Sequence, residues 1–257
     1  MSVLIVCAVA LLASGLSFLS GFGLGTLLLP AFALFYPVEQ AVALTAVVHF
    51  LNGLFKLGLV GRHANFRIVL IFGLPAFAAA FAGAWALLLL SEMKPLVSYS
   101  LPGREVSVMP VKLVVGFLLL SFSLAELLPR FRDMSLSRKY FPLGGLLSGF
   151  FGGLSGMQGA LRSAFLVKAG LTKEAFVATG AMVACLIDVS RLGVYAQTFL
   201  AQRGQLEYWV LAAAVLSAFA GAALGNRYLK SMTMNSIRGI VAIMLIGISL
   251  ALMSGVL

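Results

Sequence analysis

Three cations lie inside long apolar segments of the sequence instead of in the polar stretches between them: Lys56, Arg162 and Arg191. An ionisable side chain at membrane depth costs at least about 2.5–3.5 kcal/mol on insertion scales, so each of them is a candidate functional residue. Cations surrounded by apolar side chains are suited to holding an anion. The polar neighbours of each cation extend this hypothesis.

Lys56 ends a polar stripe on one predicted helix. At about 100° per residue, Thr45, His49, Asn52 and Lys56 fall within about 60° of one another. Two interpretations are open: the stripe lines an anion path, or Lys56 extends to the interface while the others bond across helices. Histidine in general titrates near neutral pH, so His49 could relay a proton, but a histidine satisfied by its neighbours is the more common case.

Arg191 lies three residues after Asp188 on a later apolar segment that also contains Thr179. This spacing puts Asp188 and Arg191 on one helix face, where an ion pair would neutralise both and leave them a structural role. Arg191 has more hydrogen-bond donors than one carboxylate can use. A role for Thr179, Asp188 and Arg191 in substrate binding is therefore equally open.

Arg162 follows the densest glycine-rich patch, which runs from Gly152 to Gly159. The patch is typical of a loop that leads into the start of a half-helix, where free N–H groups and the helix dipole favour an anion. Ser155, Gln158 and Arg162 would add donors, and Gly23 and Gly25 occupy a similar place early in the chain. The alternative is that the glycines only allow close helix packing.

The composition identifies the environment of these residues. Of 257 residues, 61% are hydrophobic and 10% are charged, against roughly 45–50% and about 25% in soluble domains. Apolar runs long enough to cross a bilayer follow one another, which predicts an all-α polytopic membrane protein. Eighteen Lys and Arg against eight Asp and Glu are expected to follow the positive-inside bias, not to bind nucleic acid.

The chain divides into two similar halves, 1–128 and 140–257, joined by a basic linker over 129–139 that is predicted to be cytoplasmic, all within one transmembrane domain. A shift of 134 residues lays Ser14-Gly15 on Ser148-Gly149, Gly25 on Gly159 and Thr45 on Thr179. These matches predict homologous repeats, inverted with respect to each other. Each repeat is expected to begin with a glycine-broken helix or a re-entrant hairpin.

The cations test whether the segment 140–166 crosses the membrane or turns back. A full crossing leaves the cations evenly divided between the two sides, whereas a hairpin collects most of them on the cytoplasmic side. The hairpin is therefore favoured, with Lys94, Arg104, Lys112 and Arg203 outside and with Arg62, Arg67, Arg130, Arg132, Arg138, Lys139, Lys168, Lys173, Arg227, Lys230 and Arg238 inside. Whether the N-terminal segment crosses or turns back is left open by charge alone.

Several motifs in order give the chain a family resemblance. Ser20–Gly25 with Pro30, its return as Gly149–Gly156, and Gly170–Gly180 followed by Asp188–Arg191 resemble the TauE/SafE sulfite exporter family over essentially the whole chain. Gln158 and Arg162 depart from the usual pattern. The resemblance implies a secondary transporter, without ATP, for sulfite, organosulfonates or related sulfur-containing anions.

The sequence therefore predicts an exporter of small sulfur-containing anions that works by alternating access in the bacterial inner membrane. Its partners are a small anion and the lipid bilayer, with coupling to protons or sodium and homo-oligomer formation left open. Nucleotide-binding, metal-ligating and nucleophile motifs are missing from the sequence, so neither a cofactor nor an enzymatic activity is expected. The rivals are an anion channel and a membrane-embedded protein that does not transport.

Overall fold

The structure is a computed structural model that describes residues 2–20, 23–128, 136–201, 207–227 and 235–257. Over these ranges the chain forms ten helices and one β-hairpin. A π turn, Val69–Gly73, lies within the fourth helix. The helices are α1 (Ser2–Ser20), α2 (Leu24–Ala33), α3 (Val38–Val60), α4 (Phe66–Glu92), α5 (Pro110–Leu127), α6 (Phe141–Ser155), α7 (Gly159–Leu166), α8 (Lys173–Ala201), α9 (Tyr208–Arg227) and α10 (Asn235–Met253).

Four of these helices are long and apolar enough to cross a membrane, by length and composition: Val38–His63, Phe66–Glu92, Lys173–Ala196 and Tyr208–Arg227. Their outer faces carry large exposed apolar side chains, such as Trp85 at 64% and Leu216 at 66% exposure. Apolar side chains at such exposure along several helices are stable when lipid covers them. The predicted all-α polytopic membrane fold is confirmed.

A β-hairpin lies in the polar stretch between α4 and α5. Strand β1 (Val97–Leu101) pairs antiparallel with β2 (Arg104–Val108). Pro102 and Gly103 form the turn, and the φ of +85° at Gly103 suits the position after proline in a type II turn. Tyr99 Oη donates to the Ser254 carbonyl at 2.6 Å, which ties the hairpin to the chain after α10.

Glycines bring helices α4 and α6 into close contact. A methyl group on Gly145, Gly149 or Gly153 would lie 2.1–2.2 Å from the backbone oxygens of Phe72, Ala76 and Ala80. These residues recur every four positions on both helices, as a small-residue interface in a membrane requires. Close packing is therefore the role of these three glycines of α6.

Helices α1 and α9 repeat this arrangement. A methyl group on Gly221 would lie 2.1 Å from the Leu11 oxygen, and one on Gly225 would lie 2.8 Å from the Gly15 oxygen. Helix α4, the fourth of the first half, thus packs on α6, the first of the second half, and α9 packs on α1 in the same way. Helix α3 packs on α8, and α5 packs on α10. The homology and the boundaries of the two halves stay predictions, and this exchanged packing is what related halves would give.

The second half begins with a hairpin. Near the turn, Ser148 Oγ donates to the Gln158 carbonyl at 3.2 Å. Further along, a methyl group on Gly144 would lie 2.7 Å from the Phe165 ring. Helix α7 therefore runs back along α6, and the hairpin predicted for 140–166 is confirmed.

The first half also turns back. Tyr36 lies just after α2, and Glu207 lies just before α9. Burial raises the pKa of Tyr36, and the nearby Glu207 carboxylate raises it further. Tyr36 and Glu207 are therefore at the same end of the molecule. Since α9 runs parallel to α1 along their glycine contacts, Glu207 marks the end of the molecule where α1 begins. Helix α2 thus ends where α1 starts.

The second hairpin opens toward the opposite end, which is basic. Ile68, in the first turn of α4, shares a buried cluster with Phe141 at the start of α6 and with Ala169 after α7. The Asn65 N–H donates to Thr179 Oγ1 near the start of α8. Exposed cations surround this end: Arg62, Arg67, Arg138, Lys139 and Lys173. Arg130, Arg132, Arg203 and Lys230 of the predicted charge distribution fall outside the described residues.

Candidate functional site

The breaks in the two hairpins meet inside the molecule. Gly156 ends α6 with a φ of +77°, a left-handed conformation that glycine adopts without strain. A methyl group on Gly25 would lie 2.6 Å from the Gly156 oxygen, and one on Gly23 would lie 3.4 Å from Gly159 N. The broken elements at the start of the two halves therefore meet.

A cavity of about 40 Å³ lies beside this contact. Its wall comes from α1, the start of α2, α3, α7 and α8. The lining residues are Ser17, Gly23, Leu24, His49, Asn52, Gly53, Lys56, Arg162, Phe176, Val177, Gly180, Ala181 and Ala184. Irregular backbone at membrane depth is tolerated where it faces protein or such a cavity.

Lys56 points into the protein. Its side chain is 8% exposed, and Nζ lies 2.5 Å from Ser17 Oγ and 5.0 Å from the centre of the Phe18 ring. An ammonium that extends to the interface would be solvated, so Lys56 does not extend to the interface in this structure. A cation over an aromatic face is held by the ring quadrupole, which orients Lys56 without neutralising it.

Arg162 reaches the same cavity from α7. Its Nη1 donates to Gln158 Oε1 at 3.2 Å, and its Nε lies against Gly180, where a methyl group would be 3.3 Å away. Asn52 is buried and its Oδ1 accepts from Ser14 Oγ at 3.0 Å. The Asn52 side chain thus lines the cavity together with the two cations.

His49 connects the cavity to a sealed ion pair. Its Nδ1 lies 2.6 Å from Asp188 Oδ2, while Arg191 Nε donates to Asp188 Oδ1 at 2.9 Å. Asp188 and Arg191 are fully buried. The ion pair considered from the sequence is therefore formed, and His49 is a histidine satisfied by a neighbour.

The predicted site residues thus divide into two groups. Gly23, His49, Asn52, Lys56 and Arg162 line the cavity. The other predicted residues do not line the cavity: Thr45, Gly25, Ser155, Gln158, Thr179, Asp188 and Arg191. Among the latter, Thr179 accepts a backbone hydrogen bond from Asn65 and Ser155 donates within its own helix to the Phe151 carbonyl at 3.0 Å.

Sequence reasoning missed Ser17, Gly53 and Gly180. Gly53 lies four residues after His49, on the face already singled out, and its missing side chain makes room for the Cys185 thiol, 2.7 Å from where a methyl group would be. That spacing could have identified Gly53. Ser17 carries no comparable indication, because the residue that it contacts is 39 positions away.

The described residues contain no group of three or more His, Cys, Asp or Glu side chains that could hold a metal ion. The chemistry of the cavity therefore rests on its two cations, the amide of Asn52, the imidazole of His49 and backbone N–H groups. This set of donors binds anions.

Comparison with known proteins agrees with this chemistry. The family described as "Sulfite exporter TauE/SafE" matches residues 6–252, nearly the whole chain. Neither the curated proteins nor the solved structures gave a match. A transporter family accounts for the apolar helices, and the chain is therefore a multi-pass membrane protein of the TauE/SafE sulfite exporter family.

Proposed function

We propose that this protein exports sulfite, or a sulfur oxyanion of similar size, across the inner membrane of a bacterium by alternating access. The family match supports a membrane exporter of small anions. The observation that carries the choice of site is the cavity where the two broken helices meet, with Lys56 and Arg162 in its wall.

The charge of the cavity favours an anion. No Asp or Glu is found among its described lining residues. The nearest acid, Asp188, lies behind His49 and is already bound to Arg191. Lys56 and Arg162 thus lack a counter-ion within the cavity, and in a low-dielectric setting an incoming anion would gain strongly from them.

The size of the cavity favours a compact ion. A volume of about 40 Å³ has room for roughly three water molecules, since a cavity needs about 10–15 Å³ to hold one. A sulfite ion has three oxygens around one sulfur and falls in this class. An organosulfonate with a longer tail would need the helices to move apart.

We infer the side from which the cavity loads from the charge at the two ends of the molecule. Arg162, Phe176 and Val177 are the partly exposed lining residues nearest the basic end. By the positive-inside bias this end faces the cytoplasm, so the cavity is positioned to load from inside. Rocking of one half against the other would then release the anion outside.

Exchange across liposomes tests the proposal. Purified protein is reconstituted, and uptake of labelled sulfite is measured against trapped sulfite, sulfate, sulfoacetate or chloride. Saturable exchange restricted to small sulfur oxyanions is expected from the native protein. Arg162→Ala should lose it, and the matched control Lys94→Ala, which removes an exposed lysine outside the cavity, should retain it.

Two outcomes would contradict the proposal. Uptake that is rapid but never saturates and needs no trapped anion would indicate a channel. A folded protein that exchanges none of these anions would exclude small-anion transport.

A further inference from the structure

We propose that Arg191 and Gln158 form a second anion-binding station, closed in this conformation and loaded when the molecule opens to the other side. This inference rests on the proposed transport function and deepens it. The cavity at Lys56 and Arg162 would be the station for the basic end, and the Arg191 station would serve the opposite end.

The two stations occupy comparable places in the two halves. Lys56 lies late in α3 and contacts Ser17 of α1, near the break of the first half. Arg191 lies late in α8, and its Nη1 lies against the turn of the second half, 2.8 Å from where a methyl group on Gly156 would be. Because α3 and α8 run in opposite directions, the two cations lie toward opposite ends of the molecule.

The donors at the second station are buried and incompletely used. Arg191 and Gln158 are both fully buried. Within the part of the chain that the structure describes, neither Arg191 Nη1 nor Gln158 Nε2 has a hydrogen-bond partner. Buried donors without partners are rare in native proteins, and an absent ligand is one of the few explanations.

The surroundings of these donors point to an anion. They lie at the turn that leads into α7, whose first N–H groups and dipole attract negative charge. Gln158 also connects the two stations, because its Oε1 accepts from Arg162 Nη1 while its Nε2 remains unpaired. An anion leaving Arg162 would therefore meet Gln158 and then Arg191.

Two contacts keep the second station closed. Asp188 engages Arg191 through Nε at 2.9 Å and lies 2.8 Å from its Nη2, so this carboxylate stands where an anion would bind. Gly25 packs against the Gly156 oxygen and leaves no space at the turn. Separation of the two breaks would open this space and let an anion share Arg191 with Asp188.

Transport measured from each face separately tests the station. The apparent KM for sulfite is determined in right-side-out and in inverted membrane vesicles. We expect Lys56→Ala to raise KM about tenfold from the basic face and much less from the other. The double variant Asp188→Ala with Arg191→Ala, which removes both charges of the pair, should show the reverse.

A second variant guards against loss of folding. Gln158→Met removes the unpaired donor without placing a charge beside Arg162, so it should raise KM mainly from the face opposite the basic end. Lys94→Ala serves as the unchanged control. Equal shifts on both faces in each variant, or no shift in Gln158→Met and the double variant, would overturn the second station. Absence of saturable transport by the native protein would instead overturn the proposed function itself.

Discussion

Helices α3 and α8 carry similar polar residues but place them in different environments. On α3, His49 and Lys56 line the cavity and keep 7% and 8% exposure. On α8, Asp188 and Arg191 are fully buried against each other. One acid makes the difference: Arg191 has the Asp188 carboxylate beside it and is neutralised, whereas Lys56 contacts the Ser17 hydroxyl and the Phe18 ring.

The largest expected effect is the loss of Asp188. Asp188→Ala leaves Arg191 buried without a counter-charge, which costs about 3–5 kcal/mol. We expect a large drop in the thermal unfolding temperature of the detergent-solubilised protein. Asp188→Ala combined with Arg191→Ala should recover most of it, and equal stability of the single and double variants would show that the pair is not coupled.

Lys56→Ala should affect transport and not folding. Its ammonium contacts Ser17 and, among the described residues, forms no ion pair with a carboxylate, so no buried acid is left unpaired. The loss of a charged donor to the substrate is worth about 1.5–3 kcal/mol, or roughly 10- to 100-fold in KM. Liposome uptake measures this, with Lys56→Arg as the charge-preserving control. An unchanged KM in Lys56→Ala would remove Lys56 from the site.

Gly156→Ala should strain the closed end of the site. The φ of +77° disfavours a side chain by about 1–2 kcal/mol, and the new methyl group would meet Arg191 Nη1 at 2.8 Å. The matched control is Gly193→Ala on α8, where a methyl group has nothing within 4 Å. Thermal unfolding of both variants is the measurement, and equal stability would contradict the close approach of Arg191 to the turn.

The smallest expected effect is a difference in stability between variants of two threonines, Thr45 and Thr179, which the 134-residue shift lays on each other. Thr179 Oγ1 accepts from the Asn65 N–H at 2.9 Å, so Thr179→Val should cost about 0.5–1.5 kcal/mol. Thr45 is buried, and its hydroxyl has no partner among the described residues, so Thr45→Val should leave stability unchanged or raise it slightly. The same unfolding assay compares the two, and a reversed order would contradict these assignments.

The sequence was a good guide to the helices, because long apolar runs broken at charges and prolines have few structural solutions in a membrane. The hairpin over 140–166 could also be predicted, since only a hairpin satisfied the charge bias. The strands at Val97–Leu101 and Arg104–Val108 were missed, because five-residue strands in a polar stretch give little periodic pattern.

The site was predictable only in part, because its contacts join residues far apart in the chain. The spacing of Asp188 and Arg191 left an ion pair as one of two open interpretations, and nothing local indicated that His49, 139 positions before Asp188, would also contact Asp188. Helix periodicity put Thr45 and Lys56 on one face without telling which of them reaches the cavity. The roles of the glycines around α6 could not be told apart from the sequence. Gly149 allows close packing of α6 on α4, and Gly156 forms the turn after α6, yet both are the same residue type.

Sulfite binding to the purified protein shows whether Lys56 and Arg162 hold the anion in the cavity. The thermal unfolding temperature is measured as sulfite is titrated, with the native protein, Lys56→Ala, Arg162→Ala and Lys94→Ala compared at constant ionic strength. A ligand that binds only the folded state stabilises it by about 2.7 kcal/mol at 100 times its Kd. We expect a saturable rise in unfolding temperature for the native protein and Lys94→Ala and none for the two cavity variants; an identical rise in all four proteins would exclude Lys56 and Arg162 from the binding site.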